Sequence, residues 1–269
     1  MKPGIIILIL LIVISFISCE EKTFNELSGE GTLLKEIVGD SSIYYKYSYT
    51  DAGLIKEEKS KFHFTEHIYN NKNQLTQSNN YWDERIVSSD SNILQEALNR
   101  TDWVTPENTD RNSYITFEYN NNGQLKKSTL HKDNDNNSEY STFTYNDGKI
   151  EKRNSFINNL QSSFETYDYD QNGNLLNVEK YLYLTDDQPV LMSSTEYFYD
   201  KQNNAYLSFS ALMIPGEHTN KNNVVKEVYT LYSLTDGSVE DTQTKEYSYN
   251  YNVKEFPEQR SDGIEYTYY

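Results

Sequence analysis

The sequence predicts an all-β protein: an antiparallel meander of repeated β-hairpins that forms a curled open sheet or a half-closed barrel, with one short helix inserted. Two observations predict this class. One phrase recurs six times, namely an aromatic residue, any residue and Tyr, then a polar turn, then an apolar residue. The chain of 269 residues also holds 25 Tyr and 11 Phe yet is only 36% hydrophobic, which suits strands with one aromatic and one mostly polar face. Such a long meander is expected to curl, because strand twist accumulates.

Each copy of the phrase is predicted to be one hairpin. The copies begin at Tyr47-Ser-Tyr49, His67-Ile-Tyr69, Phe117-Glu-Tyr119, Phe143-Thr-Tyr145, Tyr167-Asp-Tyr169 and Tyr197-Phe-Tyr199. The turn of each copy holds, in the same order, Gly53, Asn73, Gly123, Gly148, Gly173 and Asn203. A short hairpin loop needs positive φ at this position, which Gly adopts freely and Asn at small cost. We therefore expect Asn to replace Gly in the second and sixth copies without breaking the turn.

Three segments divide the chain. Residues 1–18 are predicted to be a signal peptide, because the apolar run from Ile5 to Ile17 is about 13 residues long, too short for a membrane span. Residues 19–42 are predicted to be a lipidated Cys19 followed by a polar tether. Residues 43–269 are predicted to be the β-hairpin repeat domain.

The junction at Ser18 and Cys19 resembles the lipobox of bacterial lipoproteins, although Phe16 stands where that motif prefers Leu. The resemblance implies that Cys19 is diacylated and becomes the mature N-terminus, which makes the membrane a partner through its lipid. Cys19 is the single cysteine of the chain, so lipidation leaves no thiol for a disulfide, a nucleophile or a metal. An ordinary secretory signal with an incidental cysteine is the alternative.

Two segments interrupt the hairpins. Residues 91–100 have apolar residues at helical spacing behind Ser91 and Asn92 as a cap, which predicts one short helix. Residues 206–216 are the most apolar run of the mature chain. This run is predicted to be a buried strand, and the alternative is an exposed loop that contacts a ligand.

The sequence predicts no catalytic residues, no metal and no cofactor, and hence no enzyme. His63, Glu66 and His67 match the H-x-x-E-H motif of zinc peptidases, but that chemistry needs a helix. Here apolar and polar residues alternate, so we expect a strand, on which four residues span about 13 Å and the two imidazoles cannot share one zinc ion. Asp133 begins a turn that mimics a calcium loop but lacks its Gly and its bidentate Glu.

Charge narrows the partners. The net charge is −17 and no basic stripe is present, which argues against nucleic acid and against an anionic lipid surface. A glycan, a peptide or a lipid remains as the expected ligand.

The fifth copy, which runs from Tyr169 and Asp170 to Gly173 and Leu175, resembles the YD repeat of RHS-type proteins. From about residue 41 to 269 the chain is similar to Gram-negative lipoproteins of unassigned function that are built from tyrosine-rich hairpins and described as having a porin-like fold. The resemblance implies the hairpin architecture and a place in the cell outer membrane. RHS shells use a tighter repeat, many more copies and a cargo domain, so encapsulation is not implied.

These features predict a non-enzymatic, envelope-anchored lipoprotein module with a binding or structural role at the outer membrane surface. Tyrosine suits a binding face because it combines a flat apolar ring with a polar tip. The candidate ligand-binding residues are Tyr119, Tyr145, Tyr169, Tyr199 and Phe209. Three alternatives stay open: the rings are simply core, the protein is structural without a ligand, or it is a periplasmic carrier of a hydrophobic ligand inside the curled sheet. The surface or periplasmic side of the membrane also stays open.

Overall fold

The computed structural model describes residues 32–39, 44–132, 137–184, 188–213, 215–216 and 218–269. The predicted signal peptide, Cys19 and most of the turn at Asp133 lie outside these residues. The strands are β1 (Leu34–Val38), β2 (Tyr44–Tyr49), β3 (Ile55–Ser60), β4 (His63–Tyr69), β5 (Leu75–Trp82), β6 (Arg111–Tyr119), β7 (Leu125–Lys132), β8 (Glu139–Asn146), β9 (Lys149–Ile157), β10 (Leu160–Tyr169), β11 (Leu175–Tyr183), β12 (Pro189–Asn203), β13 (Asn222–Tyr232), β14 (Val239–Glu246), β15 (Tyr249–Tyr251), β16 (Pro257–Arg260) and β17 (Glu265–Tyr268). One α-helix, α1 (Ser91–Leu98), and two 3₁₀ helices (Glu84–Val87 and Leu207–Leu212) complete the described elements.

The strands form one antiparallel sheet whose ends curl towards each other. Each strand from β1 to β13 pairs with the next along the chain. Strands β15, β16 and β17 pair in the same way, and β17 returns to pair with β1. Among the described residues no ladder joins β14 to β15, and we call this interruption the seam. The prediction of a curled open meander with one short helix is confirmed.

Strand β1 lies inside the range predicted to be a tether. It pairs with β2 on one side and β17 on the other, and its Leu34 and Ile37 are buried. The tether prediction is therefore wrong for Leu34–Val38, and the described sheet begins earlier than residue 43. Short-range sequence patterns did not reveal β1 because its partner β17 is more than 200 residues away.

Four turns of the phrase, those at Gly53, Asn73, Gly123 and Gly173, share one geometry, which the third copy illustrates. The backbone N–H of Gly123 donates to the carbonyl of Asn120 (3.0 Å), and the N–H of Asn120 donates to the carbonyl of Gln124 (2.9 Å). The side-chain oxygen of Asn120 accepts from the N–H of Asn122 and of Gln124, so this asparagine bends the chain around its own amide. Positive φ is confirmed at five of the predicted positions, Gly53, Asn73, Gly123, Gly148 and Gly173.

The prediction is wrong at the sixth position. Asn203 is not among the residues with positive φ, because β12 continues through it and pairs it with Asn222. The residue that takes a corresponding role without a sequence signal is Glu255, with φ of 65° in the turn between β15 and β16. Its N–H donates to the carbonyl of Asn252 (3.0 Å), as Gly123 does to Asn120.

The second tyrosine of each phrase links its hairpin to the one before. The hydroxyl of Tyr119 donates to the carbonyl of Leu75 (2.9 Å), the apolar residue of the preceding copy. The same bond repeats from Tyr69 to Ile55, Tyr145 to Leu125, Tyr169 to Ile150 and Tyr199 to Leu175. We call these five tyrosines the tyrosine ladder. Burial raises the pKa of Tyr119 and of Tyr145 to about 12, so both keep their protons at neutral pH.

The insertion between β12 and β13 supplies part of the core. The sequence predicts a buried strand over residues 206–216, but the chain forms a 3₁₀ helix there. Phe209 is fully buried, with its ring centroid 4.9 Å from that of Tyr47 and 5.4 Å from that of Tyr206. The burial part of the prediction is correct and the strand is wrong, since side chains of the insertion pack on several strands instead of joining a ladder.

The face opposite the tyrosine ladder is less polar than predicted. Four hairpins each carry one cross-strand aromatic pair there: Phe64 with Tyr81, Tyr114 with His131, Tyr140 with Phe156, and Phe164 with Tyr181. The last three pairs are stacked, with centroids 4.4 to 4.8 Å apart. A cation lies over one ring of each pair, from Lys59, Arg111, Lys127 and Lys152 respectively. These contacts stabilise each hairpin on the side that has no tyrosine ladder.

The N-cap of helix α1 lies one residue earlier in the chain than predicted. Its N-cap is Asp90, whose carboxylate accepts from the N–H of Asn92 (2.8 Å), and the helix ends at Leu98 instead of Arg100. Asp90 was overlooked because Ser91 and Asn92 are equally good caps by residue type.

Changing Tyr119 to Phe tests the tyrosine ladder. The change removes the hydroxyl and leaves the buried carbonyl of Leu75 without that donor, so we expect the free energy of unfolding to fall by about 1–3 kcal/mol in urea denaturation. The matched control is Tyr229→Phe on β13, whose hydroxyl has no hydrogen bond among the described residues; it should change stability little. Equal losses in both variants would contradict the structural role of the ladder.

Changing Gly173 to Val or to Asn tests the turn. The φ of Gly173 is +96°, and an added Cβ would meet nothing closer than Lys149 at 3.7 Å, so any cost arises from the backbone conformation. We expect Val to lower the free energy of unfolding, measured by thermal denaturation, by more than the roughly 1 kcal/mol of a propensity effect. Asn should be tolerated, as it is at position 73. A Val variant as stable as the Asn variant would show that the turn tolerates another conformation.

Candidate ligand site at the seam of the sheet

The structure brings four of the five predicted binding residues into one row. Tyr119, Tyr145, Tyr169 and Tyr199 all belong to the tyrosine ladder, where each hydroxyl donates to a backbone carbonyl. Phe209 does not join them, because it packs in the cluster formed by Tyr47, Leu34 and their neighbours near the ends of the chain.

The placement of these tyrosines bears on their role. Their polar tips already bond protein carbonyls, and burial raises the pKa of Tyr169 and Tyr199 well above the ordinary value. Tyr145 and Tyr169 also pack against the buried cluster of Ile150, Tyr167 and Leu175. These contacts support the alternative in which the rings are core.

A pocket of about 310 Å³ lies beside the seam. We call it the seam pocket. Its described lining combines five tyrosines, four asparagines, three charged residues and two small aliphatic residues: Tyr197, Tyr206, Tyr247, Tyr249, Tyr266, Asn204, Asn220, Asn222, Asn223, Glu227, Lys245, Arg260, Ala205 and Val224. These residues come from β12, the insertion after it, β13, the segment from β14 to β15, β16 and β17.

Asparagine side chains build the floor of the seam pocket. The amide oxygen of Asn220 accepts from the N–H of Leu175 (2.8 Å), and the amide nitrogen of Asn204 donates to the carbonyl of Asn220 (2.9 Å). The amide of Asn223 donates to Asp200 (3.2 Å) and to the carbonyl of Asn203 (2.9 Å). These bonds tie the insertion to β11 and β12, so the floor is fixed before any ligand arrives.

The charges at the pocket wall are paired. Lys245 Nζ lies 3.0 Å from Glu227 Oε1, and this carboxylate raises the pKa of Lys245. Arg260 binds Asp262 (Nε to Oδ1, 2.8 Å), and its guanidinium lies 4.7 Å from the ring centroid of Tyr247. The two cations therefore have two anionic partners, and the wall does not favour a ligand of either charge.

The geometry suits recognition better than catalysis. Among the described residues, Glu227 is the one carboxylate in the lining of the seam pocket, and it is engaged with Lys245. A general acid and base pair needs two groups with different proton affinities facing one substrate. The pocket instead combines aromatic rings with hydroxyl and amide groups that also bond the protein, as the hydroxyl of Tyr249 does to the carbonyl of Val224 (2.8 Å).

The histidines of the H-x-x-E-H motif lie on strand β4, as predicted. His67 Nδ1 is 2.9 Å from Ser78 Oγ, and His63 Nε2 is 2.9 Å from Thr65 Oγ1. Burial lowers the pKa of His67 to about 4, with a smaller contribution from His218 and then His63; burial also lowers the pKa of His218 to about 4. Among the described residues, no three His, Cys, Asp or Glu side chains are arranged to hold a metal ion.

A larger cleft of about 970 Å³ lies at the rim, between the end of β5 and the start of β6. Its centre is Asp83, which accepts hydrogen bonds from Arg85 (2.6 Å) and Arg100 (3.1 Å). Hydrogen bonds from Arg85, more than those from Arg100, hold the pKa of Asp83 at about 2. Because these charges bind one another and fasten the insertion that carries α1, we assign the rim cleft a structural role.

Sequence reasoning missed the seam pocket. Its floor includes Asn220, Asn222 and Asn223, which read as a polar loop between β12 and β13. Their clustering was visible, but no local pattern places them beside Arg260 and Tyr266. The signal that was available is the weak sixth copy of the phrase, which marks the place where the repeat is interrupted.

Comparisons with known proteins add a fold likeness. The sequence matches no known protein family, and nothing matches it among curated proteins. A porin-like protein of Bacteroides uniformis is 12% identical, with a TM-score of 0.45, and the match covers 88% of this chain and 96% of that one. A porin-like protein of Bacteroides vulgatus is 14% identical, with a TM-score of 0.41 and coverage of 88% and 99%. A DUF3836 family protein of Parabacteroides distasonis is 16% identical, with a TM-score of 0.29 and coverage of 41% and 91%.

With TM-scores this low, the likenesses carry no argument about function. In the part of the chain that the structure describes, no helix combines the length and apolar character that a membrane crossing requires.

The buried histidines predict loss of stability in acid. The folded-state pKa of His67 and of His218 is about 4, below the ordinary value of 6.5, so the unfolded chain binds more protons between these pH values. The contribution of each neutral histidine to the free energy of unfolding is then fully present above pH 6.5 and is lost as the pH drops towards 4. The loss amounts to about 1.4 kcal/mol for each unit of pKa shift. Urea denaturation of the wild type and of His218→Gln across this range measures the effect. The variant should show a shallower pH dependence, and parallel curves would contradict the assignment.

Proposed function

We propose that the protein is a non-enzymatic lipoprotein module of the bacterial envelope, anchored in the outer membrane through Cys19, that binds a small neutral saccharide in the seam pocket. The observation that supports this most directly is the lining of the pocket, where tyrosine rings, asparagine amides and paired charges converge beside the one interruption of the described sheet. The proposal leaves open which side of the outer membrane the module faces.

A saccharide fits the lining better than the other ligand classes. An acyl chain needs apolar walls, and in the part of the lining that the structure describes the only aliphatic residues are Ala205 and Val224. This composition gives no support to a carrier of a hydrophobic ligand. An extended peptide needs a long groove, whereas the volume of this pocket, about 310 Å³, is near the lower end for ligand pockets.

The chemistry of a sugar matches the groups that are present. Its hydroxyls both donate and accept, as do tyrosine hydroxyls and asparagine amides, and the C–H face of a pyranose packs on aromatic rings. Because Lys245 and Arg260 already have anionic partners, the pocket favours a neutral sugar over a charged one.

Saccharide titrations test the binding proposal. Methyl glycosides of glucose, galactose, mannose and N-acetylglucosamine are titrated into the protein, and saturation-transfer NMR and calorimetry detect binding. Tyr247→Ala should weaken the best sugar about tenfold or more, because this ring forms a wall of the pocket. The control is Tyr229→Ala on β13, outside the lining. Absence of binding to all four sugars, or equal affinity in wild type and Tyr247→Ala, would contradict the seam pocket as a saccharide site.

Fractionation tests the anchor separately. Two or more acyl chains, at about 0.8 kcal/mol for each buried methylene, make release from the membrane negligible. Cys19→Ala should therefore move the protein from the membrane fraction to the soluble fraction of cell lysates. A Cys19→Ala protein that stays in the membrane fraction would show that another part of the chain holds it there.

A further inference from the structure

Strand β14 is an edge strand along its full length. All eight of its side chains are exposed, and among the described residues it pairs only with β13. The chain continues from β14 into β15, which pairs with β16, and the N–H of Ser261 donates to the carbonyl of Ser248 just before the turn at Gly263. All eight residues of β14, about 27 Å of strand, therefore lie beyond the part of the chain that β16 covers.

The direction of each backbone group along β14 follows from the hydrogen bonds at its lower end. The N–H of Tyr247 donates to the carbonyl of Val225 on β13 (2.8 Å), whereas the N–H of Ser248 faces the opposite side and donates to Ser261 Oγ (3.1 Å). Backbone groups of successive strand residues point to alternate sides. The ladder with β13 has no irregularity between Lys226 opposite Glu246 and Leu231 opposite Asp241.

Within this regular stretch, even-numbered residues of β14 consequently point their N–H and C=O groups away from β13. These residues are Thr242, Thr244 and Glu246, whereas Glu240 lies at the irregularity of the ladder beside Tyr232. The N–H of Thr242 donates to the carboxylate of Asp241 (2.9 Å), so this donor is already engaged. The backbone groups of Thr244 and Glu246 and the carbonyl of Thr242 face outward, and another strand can bond to them.

We propose that the free edge of β14 binds an extended, basic segment of a partner protein by strand addition. This interaction is independent of the saccharide site and goes beyond it. Main-chain hydrogen bonds supply affinity in such complexes, and side-chain charge supplies specificity. The strand carries Glu240, Asp241 and Glu246 against Lys245, with Lys226 of β13 3.7 Å from the carboxylate of Glu246, and the chain as a whole has a net charge of −17.

Charge also separates this partner from the obvious alternative. A second copy of the chain would bring a second acidic edge and another net charge of −17, so pairing of two β14 strands is opposed by repulsion. A segment with lysine or arginine at alternate positions can place its charges on the face of the added strand that lies beside Glu246, whose neighbours on that face, Thr242 and Thr244, are uncharged.

Proline at position 244 is a selective test of this edge. The N–H of Thr244 faces away from β13, so Thr244→Pro removes an outward donor without removing a bond of the β13 ladder. Thr244→Ala is the matched control, since it changes the side chain and keeps the donor. The probe is a fluorescein-labelled octapeptide of alternating Lys and Val, and its counterpart of alternating Glu and Val controls for charge.

Fluorescence anisotropy of these peptides with the full chain gives the readout. We expect the Lys/Val peptide to bind wild type and Thr244→Ala with affinities within about twofold, and Thr244→Pro about tenfold or more weakly. The Glu/Val peptide should not bind.

Four outcomes would overturn the proposal. Equal binding of the Lys/Val peptide to the Pro and Ala variants would show that net charge alone attracts it. Equal binding of both peptides would show that the edge does not select charge. Dimers in analytical ultracentrifugation that Thr244→Pro abolishes would make a second copy the partner. A much lower melting temperature for Thr244→Pro than for Thr244→Ala, without peptide, would show that the chain itself already occupies the edge.

Discussion

The hydrogen bond from a tyrosine hydroxyl to a carbonyl one hairpin earlier organises this sheet. It explains a regularity of the phrase: the first aromatic slot holds Tyr47, His67, Phe117, Phe143, Tyr167 or Tyr197, whereas the second always holds Tyr. The first slot needs only a ring, but the second needs a ring with a donor at its tip. Because the acceptor belongs to the apolar residue that begins the preceding return strand, each bond fixes how one hairpin lies against its neighbour.

Aromatic side chains also explain how the sheet is stable with few aliphatic residues. Aromatic rings fill the inside, while stacked pairs with a cation hold the opposite face. Where the repeat is interrupted, buried asparagines replace apolar packing: Asn174, Asn220 and Asn223 are nearly inaccessible, and each has hydrogen-bond partners in the sheet. Buried amides of this kind specify one arrangement, since any displacement leaves polar groups without partners. The seam pocket lies on this polar part of the molecule.

Sequence was a good guide to local structure and a poor one to contacts between distant segments. Turns at Asn73 and Gly123 were predictable because a few adjacent residues determine them. Asn203 failed because β12 continues through it into an insertion, and β1 was missed because its pairing with β17 has no sequence signal. The seam pocket could not be predicted from the sequence for the same reason, since Tyr197, Asn220 and Tyr266 meet only after the sheet has curled. Phe209, which the sequence suggested as a ligand-binding residue, packs in the core.

The pairing of β1 with β17 has a consequence for how the molecule is made. Leu34 faces Tyr268, so the last contact of the sheet joins the two ends of the chain, whereas most other ladders join consecutive strands. Contacts with such large sequence separation form slowly, and this one requires that both β1 and β17 have been made. The hairpins from β2 to β14 can assemble one after another as they become available, while β1 waits for its second neighbour until β17 is present. A chain without residues 265–269 would thus keep nearly all of its hairpins and lose the ladder between β1 and β17.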